Sequence, residues 1–181
     1  MKIAKSLAAA AVLAAATLGS SAYAADVSSP AQGLAVFAPG ESFFGSGWLS
    51  SDVGDTFSNR YVFSISGDPA NLRALVGSTS AYPGGGLDID SFSVYSSGGS
   101  LLSSGSATST GDLDFWTLSA DALGAGNYYL QVNGSFAGTT GGAIGGTLAL
   151  APVPEPETYG MMIAGLGVLG FLARRRKAAN Q

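Results

Sequence analysis

Residues 126–134 read Gly126-Asn127-Tyr128-Tyr129-Leu130-Gln131-Val132-Asn133-Gly134. On an extended chain, Tyr128, Leu130 and Val132 fall on one side and Tyr129, Gln131 and Asn133 on the other, a period of two that predicts a half-buried β-strand. Residues 60–66 repeat the pattern, with Tyr61, Phe63 and Ile65 sharing a face. At 87–94, Leu87 and Ile89 alternate with Asp88 and Asp90, and then Phe92 and Val94 take the opposite parity. That switch predicts a bulge or bend. Further strands are expected at 34–37, 72–76, 114–118 and 143–150, with glycine clusters at 84–86, 97–99, 124–126 and 141–142 marking turns. Residues 120–123 read as a single helical turn. Strands at this spacing, without a sustained helical period, predict a mainly β, antiparallel sandwich or jelly-roll-like domain.

Outward from this domain both ends of the chain change character. Lys2 and Lys5 precede an apolar run over 7–18, and Ala22-Tyr23-Ala24 supplies the small-x-small pattern of a signal peptidase site. Residues 1–24 therefore read as a signal helix, with Ala22 and Ala24 as recognition residues and Ala25 as the first mature residue. A second uncharged run covers 158–173, followed by Arg174, Arg175, Arg176 and Lys177. Sixteen helical residues reach roughly 24 Å, so a transmembrane helix here needs snorkelling to match a ~30 Å hydrocarbon core. The basic cluster predicts a cytoplasmic tail at 174–181. The β-domain at 25–150 then lies outside the inner membrane, joined to the helix by a Pro-rich linker at 151–157.

Between the targeting segments, ten acids face only Arg60 and Arg73, a net charge of −8 over residues 25–153. Such a surface has no footprint for phosphate backbones, so nucleic acid is excluded as a partner. Glycine and serine contribute 22 residues each to the same stretch, which favours short strands and turns over helices. Cysteine and histidine are absent from the whole chain. Disulfides, Cys/His zinc sites and Cys-His or Ser-His-Asp catalysis are thereby ruled out.

The C-terminal pattern carries a resemblance. Pro154-Glu155-Pro156, one apolar helix and Arg174-Arg175-Arg176 at the extreme terminus resemble the PEP-CTERM sorting signal of Gram-negative bacteria. The resemblance implies a membrane-anchored precursor processed by an exosortase-type enzyme near Pro154, Glu155 and Pro156. It further implies a mature form at the cell envelope or in the extracellular matrix, associated with exopolysaccharide and biofilm. Residues 53–57, Val53-Gly54-Asp55-Thr56-Phe57, are similar to the motif of an FxDxF-type PEP-CTERM family, with Val53 where that motif has its first phenylalanine. Gly111-Asp112-Leu113-Asp114-Phe115-Trp116 followed by the strand at 126–134 is similar to bacterial pre-peptidase C-terminal sandwich modules.

Two constellations could carry chemistry in the domain. Asp88/Asp90 and Asp112/Asp114 are i, i+2 pairs of hard oxygen ligands that could hold Ca²⁺, or they are the solvated faces of strands. They are also the conceivable acid/base pair of a glycosidase, but nothing in their spacing selects two that converge. Trp48, Trp116, Tyr82, Tyr95 and Tyr129 form either core or a sugar-stacking platform. The expectation is a non-enzymatic protein without a cofactor, structural or adhesive in role, or alternatively a carbohydrate-binding module.

Overall fold

In a computed structural model, the described residues are 24–80, 86–111, 113–153 and 156–179. Residues 1–23 of the expected signal helix, including Ala22, lie outside them, as do Tyr82, Asp112, Pro154 and Glu155. Ten strands follow in order: β1 Gln32–Gly33, β2 Gly40–Trp48, β3 Thr56–Ile65, β4 Ala70–Ser80, β5 Leu87–Ser96, β6 Leu101–Ser104, β7 Ser106–Ser109, β8 Phe115–Leu123, β9 Gly126–Phe136 and β10 Gly142–Pro152. One helix, α1 Pro156–Ala179, ends the described chain.

The strands form two five-stranded sheets, the first in the order β1-β3-β9-β5-β6 and the second β2-β10-β4-β8-β7. All their pairings are antiparallel except β1 with β3. The mainly β sandwich matches the period-two reading. Alternate residues of both sheets point inward and close one core containing Phe44, Phe57, Tyr61, Phe92, Leu130, Val132 and Phe136. Trp48 joins it from the rim, with ring centroids 4.8 Å from Phe57 and 5.3 Å from Phe136. Burying a large apolar side chain stabilises by roughly 1.5–3 kcal/mol, and aromatic contacts add about 0.5–1.5 kcal/mol.

Close packing makes two glycines indispensable. The Phe57 ring lies over its cross-strand partner Gly134, and Phe44 lies over its partner Gly146. A Cβ on Gly134 would stand 2.3 Å from the Asp88 carbonyl oxygen, and one on Gly146 would stand 2.3 Å from that of Leu75. On the inner faces the same device therefore occurs once in each sheet, while Phe115 lies over its partner Gly77 on the exposed side of the second.

Several expectations are corrected. Residues 120–123 do not form a helical turn but extend β8, where Leu72 pairs with Ala120 and Ala70 with Leu123. The strand ladder outweighs local helix propensity there, and Ala122 takes φ +52° while donating its N–H to Asn71 Oδ1 at 2.9 Å. The strand expected at 34–37 is instead the two-residue β1, after which Leu34 donates its N–H to the Val62 carbonyl. Ala151 and Pro152 pair with Asn71 and Ala70, and Val153 donates to the Pro69 carbonyl, so the sandwich takes in residues assigned to the linker.

The C-terminal helix forms over 158–173, the segment expected to span the membrane. No helix among the described residues is long and apolar enough to cross a membrane. The 24-residue α1 runs from Glu157 in its first turn into the basic cluster, leaving an uncharged stretch of only sixteen residues that includes Gly160, Gly165, Gly167 and Gly170.

Candidate functional site

The outer face of the first sheet assembles the most side-chain chemistry. Along β9, Tyr128, Leu130 and Val132 turn inward, so Tyr129, Gln131 and Asn133 stand outward. Cross-strand register places Tyr95 opposite Tyr129, Ser93 opposite Gln131 and Ser91 opposite Asn133. On the other flank, Val62, Arg60 and Ser58 pair with the same three β9 residues. The three strands make a face roughly 10 Å wide, given a spacing of about 4.8 Å.

The bulge decides which residues appear there. Register shifts between Ile89 and Ser91, so Leu87 and Ile89 point inward before it and Phe92 and Val94 after it. Had parity persisted, Tyr95 would enter the core. The extra residue instead brings it beside Tyr129, with ring centroids 5.1 Å apart and planes 10° from parallel. The Arg60 guanidinium carbon sits 5.0 Å from the Tyr129 centroid, a cation–π contact worth about 0.5–1 kcal/mol at an exposed site. A polar relay continues from this stack. Arg60 Nε donates to Gln131 Oε1 at 3.2 Å, Gln131 Nε2 to Asn133 Oδ1 at 3.0 Å, and Asn133 Nδ2 to Ser91 Oγ at 2.8 Å. Hydroxyls, amides, a guanidinium and aromatic carbon thus share one half-exposed surface, suited to polymers rich in hydroxyl groups.

The other expected aromatics go elsewhere. Trp48 packs in the core rim and donates its indole N–H to the Val27 carbonyl at 2.8 Å. Trp116 is also packed against the core. Of the five, the structure brings together Tyr95 and Tyr129.

The aspartates divide in a way their sequence spacing conceals. Asp114 is buried, and its carboxylate accepts the N–H of Ile89 at 2.6 Å and that of Gly111 at 3.1 Å. Its own N–H donates to Ser78 Oγ at 2.9 Å. It therefore ties the two sheets together rather than facing solvent. Asp90 is exposed and Asp88 half-buried. Desolvation, reinforced by the charges of Asp114 and then Asp90, pushes the Asp88 carboxyl above its ordinary value. Among the described residues, no group of three or more carboxylates is placed to hold a metal ion.

The second sheet's outer face carries a shallow groove of about 570 Å³, lined by Leu75, Thr117, Thr147 and Ala149 with Arg73 at its margin. Arg73 is paired with Asp121 at 2.8 Å.

At the C-terminal junction, Pro156 opens α1, where proline's missing donor and fixed φ suit a first helical position. Only residues 154 and 155 separate it from Val153, whose N–H is bonded to the sandwich. The described apolar side chains of the helix, from Tyr159 to Phe171, are exposed, as is Arg175. Arg174 and Arg176 lie within the same helix. Ala24, at the opposite end, is exposed.

Residues 152–177 match the family model described as the PEP-CTERM protein-sorting motif. The chain carries that motif, which implies export and processing of a membrane-anchored precursor by an exosortase-type enzyme. No curated protein matches the chain. Among solved structures, it is similar to the pre-peptidase C-terminal domain of a collagenase from Bacillus anthracis, at 13% identity, covering 67% of this chain and 94% of that one, with a TM-score of 0.37.

Proposed function

We propose that this protein is a non-enzymatic structural or adhesive component of the Gram-negative cell envelope and its exopolysaccharide matrix, delivered there by its C-terminal sorting segment. The carrying observation is the matched motif at 152–177, joined almost directly to a folded sandwich. In the precursor, α1 contacts the inner membrane through its exposed apolar side chains, and the cluster at 174–177 stays on the cytoplasmic side. Snorkelling of that cluster and local bilayer thinning offset the short uncharged run. Exosortase then acts near Pro154, Glu155 and Pro156. Glu155→Ala is expected to leave export intact and block C-terminal maturation, read as a mass increase of the accumulated form. Normal processing of that variant would overturn the sorting reading.

A second reading, carbohydrate binding, is favoured by the stacked Tyr95–Tyr129 pair with Arg60 on an outer face. Affinity electrophoresis in gels containing the organism's exopolysaccharide should retard the protein. Unchanged mobility across several neutral and acidic glycans would count against it.

A further inference from the structure

Residue 25 meets the fold in an unusual way. The chain from Ala25 runs beside β3 in the parallel sense. Asp26 bridges to Thr56, Thr56 donates its N–H to the Ala25 carbonyl at 2.9 Å, and Val27 donates to the Thr56 carbonyl at 2.9 Å. The nitrogen of Ala25 points the other way, to Asp55 Oδ1 at 2.8 Å. The second carboxylate oxygen, Oδ2, accepts the Asp52 N–H at 2.8 Å.

Asp55 is fixed from all sides. Its N–H donates to the Asp52 carbonyl, its carbonyl accepts the Phe136 N–H, and Gly54 at φ +92° turns the chain so that its own N–H reaches the Phe136 carbonyl. The residue is only 4% exposed. Among the described residues, the salt bridge is Arg73–Asp121 on another face, so this carboxylate is met here by neutral N–H groups. A buried carboxylate met only by neutral donors is stabilised further by a cation brought to contact distance.

We propose that Asp55 is the binding site for the α-ammonium group that signal peptidase creates at Ala25, so that export converts an amide-to-carboxylate hydrogen bond into a buried ion pair. The inference rests on cleavage after Ala24. In that step water adds across the Ala24–Ala25 peptide bond. Its oxygen goes to Ala24, which leaves as a carboxylate, and its two protons go to the Ala25 nitrogen, which becomes –NH₃⁺. The nitrogen already stands at contact distance from Oδ1, so the pair forms with no rearrangement of the sandwich. Uncut precursor retains an amide there and lacks the pair. Removal of the leader thus adds an ion pair to the hydrogen bonds that already hold residues 25–34 along β3.

The N–H of Asp52, and next that of Ala25, already hold the Asp55 carboxyl below its ordinary value, so it is ionised when the ammonium arrives. An ammonium paired with it titrates above the usual ~7.7–8.0 of an α-amino group. Its stabilisation is complete below that range and is lost as pH rises through the higher, folded-state value. At the acid end, the pair fails as pH falls through the lowered Asp55 value.

The test uses full-length chain expressed in an exporting host, with the mature N-terminus located by mass spectrometry and α-amino acylation rates measured against pH. Three proteins are compared: wild type, Asp55→Asn, and a chain with one glycine inserted between residues 24 and 25. The insertion keeps Asp55 and returns Ala25 to an amide, the arrangement already seen folded. Expected are an α-amino group in wild type acylated about tenfold more slowly at pH 7 than in either variant. A Tm several degrees above that of the insertion variant at pH 7 is also expected, the gap closing by pH 10–11. Equal acylation rates, or a Tm gap absent at pH 7, overturn the ion pair while leaving cleavage after Ala24 intact. A mature chain beginning at another residue overturns both.

Discussion

The two sheets of the sandwich are alike on the inside and different on the outside. Each has a phenylalanine laid over a cross-strand glycine, Phe57 on Gly134 in the first sheet and Phe44 on Gly146 in the second. On their outer faces, the first presents Tyr95, Tyr129, Arg60, Gln131 and Asn133 as one connected array. The second presents a groove of small hydroxyl and apolar side chains. Along one strand the two sets of residues alternate, so the positions that fix the fold and those free to vary for binding are neighbours in sequence. On the proposed carbohydrate-binding reading, the difference between the faces puts the contact surface on the first sheet.

The inner equivalence is the easiest to break. Gly134→Ala and Gly146→Ala should each cost about 3 kcal/mol in denaturant unfolding, because the new Cβ meets both a carbonyl and a ring. If one is tolerated, the sheets are not packed alike. The outer contrast comes next. Tyr129→Ala should weaken glycan retardation at least tenfold, or about 1.4 kcal/mol, while Thr117→Ala on the opposite face leaves it unchanged. Equal losses would erase the distinction.

A smaller effect should arise at the rim where the sheets meet. Because the Asp88 carboxyl is raised in the folded state, the native protein holds its proton to higher pH than the unfolded chain does, and stability falls as pH rises through that window. Asp88→Asn should therefore raise Tm at pH 7, with the gain shrinking as pH drops towards the ordinary carboxylate range. Least of all, Arg73→Ala should change stability by less than about 0.5 kcal/mol, since both partners of its ion pair with Asp121 are largely exposed.

How much of this was legible in the sequence follows from what each signal depends on. The inward and outward sets of β9 could be read directly, because period two is a property of one strand. So could the bulge near Ile89, from the change of parity. That Tyr95 would land beside Tyr129 could not, since register depends on two strands at once. β2 was missed because its glycines and serines break the alternation that a pattern search requires. Residue type suggested solvent exposure for Asp114, whereas backbone N–H groups across the rim bury its carboxylate. Asp55 was visible as part of a motif, but its partner lies thirty residues upstream. The sorting segment was the most legible of all, because its meaning resides in local order and spacing and does not require a fold.

The strand that leads into the sorting segment has a mechanical consequence. β10 lies between β2 and β4, paired with β2 over 142–150 and with β4 over 142–152. Tension applied at the tail while the opposite side of the molecule is held enters along the axis of this interior strand. Both rows of ladder bonds are then sheared together instead of unzipping one after another from an edge. A protein tethered through that end resists flow and drag with the middle of a sheet.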